Sequence, residues 1–542
     1  MTKLQRTTGL VATRGLMWRA LVAAGVACAA QTANAQSVEP TPKRGGTLNY
    51  AITTEPPNYD CHGNTNYGVS QAIFPHYSKL LKSDGDWRDL KIVGDVAETY
   101  EISADRLTLT FKLRKGVRFH DGSLLTSADV RATYERLVKP PPGVLSARQA
   151  LYQDIQAIET PDEHTVVFKL SAQNAGMLDA FASPWNCIYS AAKLQVDPRF
   201  PETNILGTGA YSFVAHVKGQ SWEGRRFDGY FKPGRPYLDG YKAFFIKGSA
   251  LATGIAGGQF DIEFRGVTPA ERDRMVEQMK DNAVVQEAPW TTTLVVTINN
   301  KRKPFDDVRV RQALTHAMDR WGGSVALSKI SLMKHVGGFL RTGYELALTP
   351  AELEALPGFW RDVEKARDEA RRLLAEAGVQ NLKILLLNRD TQQPYTPTGV
   401  YVIDQWRRIG VEVEHRQIDP KAYYEAISRG DFDAAIDFLS DFSDDPNLHY
   451  IRLLSHGQSP VSYAQHSDTG LDALFEKQKR ATNPTDRRRY TVEFEQRALT
   501  GAYTLPLFWW QRIVVHHKKI KGWKMLPSHN NGMDLADVWL DQ

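Results

Sequence analysis

Cysteine is scarce in this chain, with three in 542 residues, at positions 28, 61 and 187. No apolar run reaches the roughly 20 residues needed to span a bilayer. There is no G-x-S-x-G elbow, no H-E-x-x-H helix and no active-site cysteine setting, so the common hydrolase machineries have no foothold. Carboxylates are plentiful, which leaves a glycosidase pair open by counting alone, but nothing positions two of them. Gly207-Thr-Gly209 lacks the third glycine and the later acid of a dinucleotide loop and reads as a tight turn. His449, His456 and His466, and the adjacent His516-His517, stand at no usual metal-ligand spacing. No stretch has the biased composition of a disordered tail, and no internal repeat is visible. The sequence thus predicts no catalysis, no cofactor and no resident metal.

Acids are also missing from the first 19 residues, which carry Lys3, Arg6, Arg14 and Arg19. The small, apolar run Ala20–Ala30 and Ala33-Asn34-Ala35 follow, and together they describe a secretory signal peptide, residues 1–35, cleaved before Gln36. Cys28 raises a lipoprotein alternative, but Gly25-Val26-Ala27 lacks the usual bulky apolar residue. Export predicts a periplasmic location. The net charge is +5, four of which leave with the signal, so the remainder is near +1. That balance argues against nucleic acid as a partner. Cys61 and Cys187 then remain in an oxidising compartment, where they are expected to form a disulfide; two buried free thiols are the alternative.

Residues 36–542 exceed what one hydrophobic core usually serves, so two or more lobes are expected. Gly45–Ile52, Leu107–Leu113 and Thr165–Leu170 read as strands, and Thr126-Ser-Ala-Asp129 starts a helix that Pro140-Pro-Pro142 follows. Further on, a helix capped at Asp306 or Asp307 and another over 362–377 precede a regular alternation. Strands 382–387, 411–417 and 432–438 are separated by helices 399–409 and 421–429. Such βαβ units predict an α/β fold with a parallel sheet. Parallel sheets bind ligands beyond the carboxyl ends of their strands. That rule selects Thr54 and Glu55, Arg389-Asp390, and Asp441 as candidates, an Arg and an Asp together suiting a zwitterion. Bracing or solvated loop charge is the alternative for each.

Four ordered stretches make the chain recognisable. Arg106–Gly122 (RLTLTFKLRKGVRFHDG) with Thr126–Val130, Leu206–Tyr211 (LGTGAY), Asn299 with Lys303–Leu314 and Asp319-Arg320, and Asp441–Asn447 (DFSDDPN) resemble the peptide/nickel-binding family of ABC-transporter substrate-binding proteins, family 5 or cluster C. Ala210 replaces a usual proline, and the last loop has one extra residue. The resemblance implies a two-lobed type II periplasmic-binding-protein fold with an extra subdomain. Lobe I would comprise 36–77, the subdomain 78–183, 184–289 and a return at 505–542, with lobe II over 290–504. The first crossing is expected near Glu287–Thr293 and the second near Tyr503–Trp510.

The family's members hold solute between closing lobes and deliver it to permease subunits in the inner membrane. Asp441 occupies the position that captures a peptide's amino group, and Arg389 lies about where some dipeptide binders hold the carboxylate. Arg114, Phe119, Asp121 and Asp129 read as capping and packing residues. Twelve tryptophans keep a sugar ligand open, with Trp290, Trp509 and Trp510 near the crossings as stacking candidates. A peptide is the expected ligand of a monomeric binding protein, and an oligosaccharide, opine-like conjugate or metal chelate the alternatives.

Overall fold

The computed structural model describes residues 41–541 apart from positions 247, 249, 392, 441 and 460 and the side chain of Ser440. The signal-peptide reading therefore lies outside the described residues. From Pro42 onward the chain is one compact unit built on two large sheets.

The first sheet runs in the order Ile262–Glu263, Thr47–Ile52, Gly240–Phe245, Ser221–Arg226, Tyr211–Val217. Thr47–Ile52 lies parallel to both of its neighbours and is covered on both faces. Leu48, Tyr50 and Ile52 enter the largest core, while Ala51 joins a separate cluster with Leu251, Ile255 and Met275. A four-stranded antiparallel sheet, Ala97–Ile102, Thr108–Leu113, Thr165–Leu170 and Ile155–Asp162, packs beside it. Helix Ser127–Val138 covers that sheet with Tyr134 and Leu137 against Phe111 and Phe168. Its start is fixed as the sequence predicts: the Asp129 carboxylate accepts the Thr126 amide at 2.8 Å. Asp121 ties Ser123 into a turn, and Arg114 Nε donates to the Asp95 carbonyl at 2.9 Å. These motif residues build the fold. Cys61 and Cys187 are bonded within the same core, their Cα atoms 6.1 Å apart.

The second sheet has the order Met333–His335, Thr504–His517, Ala283–Ile298, Ala434–Ser440, Lys383–Arg389, Glu412–Ile418. Only the last three strands are parallel, joined by helices Tyr395–Arg407 and Pro420–Arg429. The expectation of a parallel sheet is therefore corrected to a mixed one. Its antiparallel half is built on two long strands of 16 and 14 residues, one running from the first core to the second and the other returning. They pair from Ala283↔His517 to Pro289↔Gln511, slip, and resume at Thr293↔Trp509. Pro289 has no N–H to donate, so a break in the ladder there has a local cause. Core membership changes at the break. Ile513 and Val515 pack with Ala51, whereas Trp290, Leu294, Leu507 and Trp510 pack with the helices of the second half.

Candidate functional site

A cavity of about 580 Å³ opens where the long strands change cores. Its walls come from both. Tyr67, Arg148, Arg265, His529 and Asn530 belong to the first-core side; Tyr395, Tyr424, Phe438, Arg452 and Tyr463 belong to the second; Trp290, Thr292 and Trp510 lie on the long strands. The volume suits a ligand of drug-like size. Phe438 sits near the carboxyl end of its strand, and Arg265 two residues beyond Ile262–Glu263, so the cavity obeys the sheet-edge rule.

Its side chains are set by their neighbours. The Trp290 and Trp510 rings meet edge to face with centroids 5.2 Å apart, and Trp290 Nε1 donates to His529 Nδ1 at 3.2 Å. The Arg265 guanidinium lies 5.0 Å from the Tyr67 ring and 5.4 Å from that of Trp290. Its loop is held from behind. Buried Arg512 donates to the carbonyls of Phe264 and Arg265, and Glu263 accepts the amides of Arg265 and Gly266 at 3.0 and 2.6 Å. Gly266 adopts φ +145°, which disfavours any side chain there. Burial pushes Glu263 up to about 7 despite those bonds. Burial, with Arg265 and Arg512 adding to it, pushes His529 well below the usual histidine range, so its ring is neutral.

Of the residues predicted from sequence, Trp290 lines the cavity, and Trp510 lines it beside Trp290. Trp509 does not. Alternation along the strand turns it to the other face, where Nε1 donates to the Gly338 carbonyl at 3.0 Å. Arg389 is likewise corrected. The strand continues to Arg389 instead of ending at 387, which draws the side chain inward to 3 % exposure. There Nη2 meets Asp437 Oδ1 at 3.2 Å, and the guanidinium lies 4.3 Å from the Tyr395 ring and 5.2 Å from Phe438. Arg389 thus braces the cavity wall from behind, its buried Nε finding no hydrogen-bond partner among the described residues. Glu55 is engaged by His216 at 2.7 Å and the Gly219 amide at 3.1 Å. Thr54 is absent from the lining; its carbonyl packs so close to Gly68 that a Cβ there would lie 2.7 Å away. Asp441 lies outside the described residues. Gly207 and Gly209 press against the backbone of His76, as a tight turn requires. No group of three metal-ligating side chains stands together among the described residues, and no described helix is long and apolar enough to cross a membrane.

Sequence reasoning missed Arg265, Arg452, Tyr67 and His529. Arg265 follows a strand of two residues, too short for periodicity to register.

The sequence and the fold both have parallels among known proteins. The family described as bacterial extracellular solute-binding proteins, family 5 Middle, matches residues 91–460. The chain belongs to this family. Among its relatives, the glutathione-binding protein GsiB of Pectobacterium atrosepticum is 28% identical over 376 residues, covering 67% of this chain and 66% of that protein. The oligopeptide-binding protein AppA of Bacillus subtilis is 27% identical over 488 residues, covering 84% of each. The fold of the solute-binding protein matches that of the periplasmic binding protein AgaA of A. tumefaciens R10, solved with agropinic acid. That match has a TM-score of 0.78 at 24% identity and covers 92% of this chain and 99% of AgaA. The fold is that of type II periplasmic binding proteins.

Proposed function

We propose that this solute-binding protein captures a short peptide or peptide-like solute in the cavity between its two cores and delivers it to the permease subunits of an ABC importer. One observation carries the reading: a cavity walled from both cores at the point where two long strands pass between them. The relatives' glutathione and oligopeptide ligands support a peptide-like solute, and agropinic acid in AgaA supports a conjugate as the second reading. The lobes would be 36–77, 78–183, 184–289 and 505–542 against 290–504, closing by bending at Pro289–Thr293 and its partner strand. In the form described here the two sides are joined. Lys479 and Arg480 reach Asp154 at 2.9 and 2.8 Å, Ser443 Oγ donates to Asp179 at 2.6 Å, and the Ala175 amide donates to the Lys479 carbonyl at 2.8 Å. These bonds would part on opening. The protein would work as a periplasmic monomer beginning at Gln36.

The test is a calorimetric and thermal-shift screen against di- to tetrapeptides, opine-like conjugates, oligosaccharides and metal chelates, with small-angle scattering of the best binder. Saturable binding with a smaller radius of gyration is expected. Ligand turnover, or an unchanged radius at saturation, overturns the reading.

A further inference from the structure

The cavity is one-sided in charge. Its described lining includes Arg148, Arg265 and Arg452 and no carboxylate. Arg148 is already engaged, donating to the Asn64 carbonyl at 2.9 Å and lying 4.2 Å from the Trp185 ring. The other two differ. Arg265 faces three aromatic rings and makes no ion pair with a described residue. The nearby acid Glu263 directs its carboxylate to backbone amides, and Arg512 behind it directs its donors to backbone carbonyls. Among the described residues Arg452 has one carboxylate within reach, Asp437 at 3.8 Å, which Arg389 already holds at 3.2 Å. Two guanidiniums therefore share one described acid on the second side, and no described acid pairs with Arg265 on the first. The Arg265 and Arg452 guanidiniums are half-buried among aromatic rings of the cavity, open to an incoming ligand, and a carboxylate suits the guanidinium fork.

We propose that the solute is an acid with at least two carboxylates on a flat or apolar body, one carboxylate bound by Arg265 and the other by Arg452. The body would lie between Trp290 and Trp510 on one side and Tyr395 and Tyr424 on the other. This rests on the reading of the cavity as the solute site and names its chemical class.

The test is calorimetry on the full chain with Asp-Phe and N-succinyl-phenylalanine, which carry two carboxylates, compared respectively with Asn-Phe amide and N-acetyl-phenylalanine amide, which carry none and match them in the free or blocked amino group. The diacids are expected to bind at least tenfold more tightly. Arg265→Gln and Arg452→Gln should each remove most of that preference by weakening the diacids far more than the amides, with melting curves showing a folded chain, and Arg265→Lys should restore part of it. Amides that bind as well as the diacids, or variants that weaken both classes alike, overturn the inference and leave solute capture standing with a neutral ligand. Failure of all four probes also overturns it, and the broader screen above then decides whether solute capture falls as well.

Discussion

At the scale of single residues, position along a strand decides whether a charged side chain meets the ligand or the wall. Arg389 and Asp437 form a buried pair, and removing one partner of such a pair typically costs about 3–5 kcal/mol. Arg389→Gln is thus expected to lower unfolding free energy by that order in urea titrations, with the folded fraction still preferring the same solutes. A selective loss of affinity at unchanged stability would return Arg389 to the binding site. Asp441 has the opposite expectation. It directly follows Ser440, the last residue of the strand whose Phe438 lines the cavity. Truncating one partner of a buried charge pair costs about 2–5 kcal/mol. Asp441→Ala should weaken free-amino peptides by roughly 30-fold or more and change N-acetylated ones little. If wild type binds acetylated and free peptides equally, Asp441 does not hold an amino group.

Among the elements, the carboxylate contact between helix Met177–Phe181 and the loop before helix Pro446–Tyr450 makes closure sensitive to pH. Burial, with Asp445 adding to it, pushes Asp179 up to about 7; Asp444 opposes its ionisation as well, while Ser443 and Arg487 favour it. Freed by opening, Asp179 would titrate near its usual value of about 4. The closed form therefore holds a proton that the open form has lost between those values. Its contribution to closure is full below about pH 4, declines as pH rises, and is gone above about 7. Affinity for a solute that does not itself titrate should fall between about pH 4 and 7, by less than tenfold per unit. Asp179→Asn should flatten the profile, with Glu263→Gln as the control for the buried acid behind the Arg265 loop. An unchanged slope in Asp179→Asn would clear this contact of any role.

The same elements mark how far sequence carries. Helices 308–316, 363–376 and 420–429 and strands 165–170 and 412–418 fall within two residues of their predicted places, because amphipathic spacing and capping residues are local. The antiparallel half of the second sheet was not legible. TTTLVVTI and LPLFWW are buried on all sides, and such runs carry no period that would reveal partner or direction. Arg389 was misplaced by the sequence for a related reason, whereas Trp290 and Trp510 do line the cavity. The sheet-edge rule needs strand ends to within one residue, and two extra residues carried Arg389 from rim to core.

For the whole molecule, the long strands make the binding floor and the crossing one object. Trp290 and Trp510 stand on opposite strands within the slip, between Pro289↔Gln511 and Thr293↔Trp509, packed edge to face beside the cavity they line. Any bend there must turn one indole against the other. The protein thus contains its own optical gauge: solute binding should change the intensity or wavelength of tryptophan emission in step with closure. Trp290→Phe with Trp510→Phe should silence most of that signal, although ten other tryptophans remain. Emission that responds equally in the double variant would place the moving indoles elsewhere. A spectroscopic titration could then follow uptake of a colourless, unlabelled solute in real time, with the crossing itself as the reporter.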